Sequence, residues 1–137
     1  MGSHHPRELF AIFLGGALGA LLRAWLAREV VHQPLGWPWP TFIANLAAAF
    51  LLGWVGTLLM HRHRRGAFAG PFWAAGLCGG LSTFSTVQVE LVELFRAGAD
   101  GIALSYLVAT VAWGLVLVHL GTDLARRRIR ATRAGAA

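Results

Sequence analysis

The chain contains no lysine and only one cysteine, Cys78, in 137 residues. A single thiol cannot close an intrachain disulfide, which excludes a disulfide-stapled scaffold. Acids are also scarce: six stand against twelve arginines, and charged residues make up only 13 % of the chain. Soluble domains carry about 25 % charge, so the usual solubilising charge is missing. No Ser/His/Asp set, metal-ligand set or glycine-rich phosphate loop is legible, so neither an enzyme nor an ATP-driven pump is expected. What is present is apolar surface. Hydrophobic residues make up 56 % and the mean hydropathy is +0.58, which excludes a disordered chain. The sequence reads as a single all-α integral membrane domain over residues 1–137.

Four spans are expected, over 9–31, 41–60, 68–95 and 102–120, followed by a basic tail over 121–137. The second is the clearest. Thr41 to Met60 carries no charge, and at about 1.5 Å per residue it crosses a hydrocarbon core of roughly 30 Å. The first span continues too far for a cleavable signal peptide. The Met-Gly-Ser-His-His-Pro start has the look of an appended leader, and His4 and His5 are given no functional role.

With four spans, the termini and the loop between spans two and three share one side. That side holds Arg7, Arg62, Arg64, Arg65, Arg126, Arg127, Arg128, Arg130 and Arg133, nine in all, against Arg23, Arg28 and Arg96 on the other. The bias predicts both termini in the cytoplasm, and the plasma membrane or inner membrane is the expected location. Arginines placed between apolar segments meet lipid headgroups, and no soluble basic domain remains to bind nucleic acid. Trp25, Trp37 and Trp39 fall where an interfacial aromatic belt belongs.

The third span conflicts with lipid physics. Its middle, Gly76 to Thr86, joins a glycine pair to Ser82, Thr83, Ser85 and Thr86 around Phe84, and this is poor helix material. Backbone groups freed in hydrocarbon need partners, so a break belongs where it lines a pathway or holds an ion. The competing reading is that Gly79 and Gly80 merely let helices pack closely. Asn45 lies in an otherwise apolar span, one turn after Thr41. Its carboxamide either bonds another helix or offers N–H groups to an anion, and the residues alone favour the first.

Arg23 either snorkels to the interface or raises the anion potential at a pathway mouth. Tyr106 and Thr110, four apart, form a polar stripe or place a belt aromatic. Glu90 and Glu93 share a helical face and offer either a cation or proton site or, with Arg96 three residues after Glu93, a surface ion pair, and the ion pair is the favoured reading. Gly15 and Gly19 form a close-packing GxxxG pattern. His61 and His63 diverge on a helix and read as a cationic loop, not a metal site.

Gly16-Ala-Leu-Gly-Ala-Leu-Leu-Arg23, Thr41-Phe-Ile-Ala-Asn-Leu46 and Gly79-Gly-Leu-Ser-Thr-Phe-Ser-Thr86, in this order, resemble the Fluc (CrcB) fluoride channels over nearly all four spans. The resemblance implies an antiparallel dimer with a third span broken near its middle, passively exporting fluoride and reducing its toxicity. It also implies a structural sodium ion on the main-chain carbonyls of Gly79 and Ser82 of each subunit. By similarity the fluoride path is lined by Asn45, Phe84, Thr41, Ser82, Thr83 and Ser85, with Tyr106 and Thr110 as weaker members and Arg23 at the vestibule.

Two departures from the family pattern bear on the dimer. Val87 stands where a second phenylalanine is usual, and the arginine bias does not suit a chain that inserts both ways. Homodimer and heterodimer with an oppositely oriented paralogue therefore both remain open. A small multidrug-type cation/proton exporter also has four short spans, but it needs a carboxylate within the first, where Gly15 to Leu22 has none. A non-transporting membrane scaffold would explain neither Asn45 nor the third-span break.

Overall fold

The computed structural model describes residues 6–30, 35–61 and 68–135. His4, His5, Arg62, His63, Arg64 and Arg65 lie outside the described residues. Among those described, all regular structure is helical. Helix α1 covers Pro6–Glu29 and α2 covers Trp39–His61. Segment α3 winds as a π-helix over Pro71–Cys78 and ends in a short α-helical turn, Gly79–Leu81. Helix α4 covers Phe84–Arg96 and α5 covers Asp100–Ala134. Three of these, α1, α2 and α5, are long and apolar enough to cross a membrane. The expected third span is divided between α3 and α4, with Ser82 and Thr83 extended between them at ψ 152° and 121°.

Local chemistry sets these boundaries. Thr83 caps α4, its Oγ1 accepting the N–H of Thr86 at 3.2 Å, as hydroxyl residues do at helix starts. At the far end Gly98 adopts φ +73°, which a glycine tolerates without a Cβ penalty. There the N–H groups of Gly98 and Ala99 return to the carbonyls of Phe95 and Leu94 at 3.1 and 2.9 Å, a Schellman closure. Helix α5 does not stop at Leu120. Its alanines, leucines and arginines are good helix formers, and they carry the basic tail as helix through Ala134.

Glycine governs which helices meet. A Cβ at Gly15 or Gly19 would strike the backbone of α3, and one at Gly80 would strike Gly16. The GxxxG pattern therefore seats α1 on α3. Gly53 and Gly121 bring α2 and α5 together in the same way, a contact that the sequence pattern does not announce. Two small cores result. One is Ala44, Ala48, Cys78 and Leu81; the other is Phe42, Val87 and Tyr106.

Tyr106 is 0 % exposed, so it is a core residue and not a belt aromatic. The core takes few of the large apolar side chains. Phe13, Leu21, Val108 and Trp113 all face outward, and an apolar exterior of this extent calls for hydrocarbon around it.

Candidate functional site

The interruption between α3 and α4 frees backbone groups, and Asn45 of α2 takes them up. The Thr83 N–H donates to Asn45 Oδ1 at 2.7 Å, and Asn45 Nδ2 donates to the Thr83 carbonyl at 3.1 Å. A backbone N–H can only donate, so this pairing fixes which end of the carboxamide faces it. Of the two readings of Asn45, the interhelical bond is thus present. The second Nδ2 hydrogen lies outside this pair.

Around the interruption the hydroxyls are linked. Ser82 Oγ donates to the Cys78 carbonyl at 2.8 Å. Thr83 Oγ1 lies 2.9 Å from Thr86 Oγ1 and 3.3 Å from Ser85 Oγ. Because the N–H groups of Thr83 and Thr86 are bonded to side chains, the carbonyls of Gly79 and Ser82 lose the donors that an unbroken helix would bring to them. Gly80 and Gly79 also differ. Gly80 packs on α1, whereas no described residue stands where a Cβ of Gly79 would be.

A second polar centre escapes the sequence reading. Glu90 Oε1 accepts from Thr41 Oγ1 at 2.5 Å, and Oε2 accepts from the Tyr106 hydroxyl at 2.8 Å. The surface ion pair expected for Glu90 is therefore replaced by a carboxylate clasped from α2 and α5, while Glu93 is exposed. A signal was available: Glu90 follows Val87 by three residues and precedes Leu94 by four. Both of those are buried on one face of α4, and that spacing puts Glu90 on the same face.

An open cavity of about 460 Å³ gathers Asn45, Gly79, Ser82, Thr83, Phe84 and Thr110 along its wall. Phe84 is 74 % exposed, and the Thr110 hydroxyl is buried with no hydrogen-bond partner among the described residues. Val87 also borders this cavity but packs against Phe42 and Tyr106. A smaller cavity of about 190 Å³ is lined by Arg23, Thr41, Thr83 and Thr86. Arg23 does not simply snorkel: its Nε donates to the Gly80 carbonyl at 3.3 Å, a cation at the C-terminal end of α3.

Long apolar helices enclosing a hydroxyl- and amide-lined interruption define a helical membrane protein. A family profile, CrcB-like protein, Camphor Resistance (CrcB), matches residues 10–122. Among curated relatives, Fluoride-specific ion channel FluC 1 of Mycobacterium bovis is 48 % identical over 131 residues, covering 95 % of this chain and 99 % of its own. Fluoride-specific ion channel FluC 2 of Nocardia farcinica is 40 % identical, covering 93 % and 91 %. Fluoride-specific ion channel FluC of Ruegeria pomeroyi is 40 % identical, covering 86 % and 90 %. The chain belongs to the CrcB family.

Proposed function

We propose that this chain is the subunit of a fluoride-selective channel that lets fluoride leave the cytoplasm passively and so limits its toxicity. Family membership and the names of the relatives support this reading. The observation that carries it is the gathering of Asn45, Ser82, Thr83, Phe84 and Thr110 around one open groove beside the α3–α4 interruption. Fluoride is small and strongly hydrated, so a narrow dry path has to replace water with preplaced donors. Hydroxyls and a carboxamide supply O–H and N–H groups, and the ring edge of Phe84 is electropositive. Such contacts are individually weak and arranged in series, which allows an ion both to enter and to leave.

Arg23 raises the anion potential where the smaller cavity opens. Ser85 joins the path through Thr83. Thr41 lines the smaller cavity itself, whereas Tyr106 is fully buried and is linked to Thr41 through Glu90, so an anion drawing on the Thr41 hydroxyl competes with that carboxylate.

In this proposal α3, Ser82–Thr83 and α4 form one membrane crossing, broken near its middle, and two subunits pair antiparallel. A structural sodium ion would be held by the Gly79 and Ser82 carbonyls of each subunit. Carbonyl oxygens short of donors are the ligands a hard cation takes, and the ion would fasten the two interruptions together. The second subunit is either another copy or an oppositely inserted paralogue. Both termini of this chain lie in the cytoplasm, at the plasma or inner membrane.

The test is fluoride efflux from liposomes holding only the purified chain, read with a fluoride electrode, with chloride-loaded vesicles as control. Fast efflux of fluoride without chloride supports a channel built from one chain. Efflux that appears only with a coexpressed paralogue supports the paired form. Silence in both preparations overturns the channel.

A further inference from the structure

A third cavity, of about 440 Å³, lies away from the proposed path, where the end of α2, the start of α3 and the C-terminal part of α5 meet. Leu58, Leu59 and Trp73 give it an apolar wall, and Arg128, Thr132 and Arg133 of α5 stand at its rim. Positions 128 and 132 are one helical turn apart with 133 beside them, so one side of α5 faces the cavity. No acid lines it among the described residues.

The level of this cavity follows from helix length. The 35 residues of α5 reach about 52 Å, some 20 Å beyond a hydrocarbon core. The uncharged run of α2 closes at His61, which also lines the cavity. The slot therefore straddles the boundary at which the chain leaves hydrocarbon, with its apolar wall toward the membrane and its guanidiniums toward the headgroups.

We propose that this cavity holds one anionic phospholipid, its phosphate on Arg128 and Arg133 and an acyl chain along Leu58, Leu59 and Trp73. Guanidinium forks match phosphate oxygens in geometry as well as charge, and basic pockets between membrane helices take anionic headgroups. A free phosphate would leave the apolar wall uncovered. An acidic protein surface would leave the depth of the slot unfilled.

The test uses the full chain purified in neutral detergent, with thermal unfolding and native mass spectrometry as readouts; neither depends on ion flux. Phosphatidylglycerol raises Tm and survives as a bound adduct, and phosphatidylcholine of the same acyl chains does neither. Arg128→Gln/Arg133→Gln weakens that binding by roughly tenfold or more. Arg127→Gln/Arg130→Gln removes the same charge from positions that do not line the cavity, and it retains the adduct.

Equal responses to the two lipids, or equal losses in the two double variants, would overturn the proposal. So would an equal shift with glycerol phosphate, which has the headgroup chemistry and no tails. A cavity filled by another part of the chain would give no phosphatidylglycerol response, and that outcome overturns it as well. The comparison of the two lipids and glycerol phosphate on the unmodified chain is decisive even if a variant fails to fold.

Discussion

Asn45 carries two jobs that substitution can separate. Asn45→Leu leaves the Thr83 N–H and carbonyl without the partners they now have. An unpaired group costs about 1–3 kcal/mol when fully buried and less at the part-buried Thr83, so Tm falls in detergent unfolding. Asn45→Asp keeps an acceptor for the Thr83 N–H but sets a fixed negative charge beside the groove, and it blocks fluoride efflux. Unchanged flux in that variant would mean that Asn45 only joins helices. Phe84 is the opposite case. It is mostly exposed, so Phe84→Ala lowers flux while leaving Tm nearly in place. Glu90 and Glu93 look alike in one dimension. Glu90→Leu removes the carboxylate that holds the Thr41 and Tyr106 hydroxyls, so its Tm drops well below that of Glu93→Leu. Equal Tm values would show that the clasp contributes nothing.

At the scale of elements, glycines decide the neighbours and the lengths decide the spans. Gly19→Ala would drive a methyl group into the α3 backbone at Leu81, separating α1 from α3. Gly114→Ala meets open space and exchanges a flexible residue for a helix former, a change worth about 0.5–1 kcal/mol in the stabilising direction. Thermal unfolding of the pair checks this, and a Gly19→Ala protein as stable as the parent would refute the close seat. The GxxxG pattern in α1 is legible because close approach needs small residues at a helical spacing. Gly53 and Gly121 are not legible, since they lie on different helices and nothing local marks them as partners. The interruption near Ser82 is foreseeable from glycines and hydroxyls. The π winding of Pro71–Cys78 is not, because i→i+5 bonding has no residue pattern of its own here. Hydropathy ends the last span at Leu120, whereas the helix-forming residues of the tail carry α5 onward to Ala134.

For the whole molecule, the arginine count makes a prediction about insertion. Cys78 is buried, so a cysteine introduced at Gly135 reports on its own. A membrane-impermeant maleimide should label Gly135→Cys only after the cytoplasmic face is opened; labelling from outside in half of the chains would mean dual insertion and favour the homodimer. Amino-acid order alone determined the class of environment, the three long apolar helices and the residues at which α3 gives way to α4. Each of these is a sum or a spacing along the chain, set against a bilayer of fixed thickness and a backbone that must be hydrogen-bonded in it. Only the tertiary structure decided that Asn45 closes on Thr83, that Glu90 turns inward to Thr41 and Tyr106, and that Gly79 stays open while Gly80 is packed. Those outcomes depend on which groups from distant parts of the chain come within bonding distance, and polar groups pair by proximity in space and not by separation in sequence.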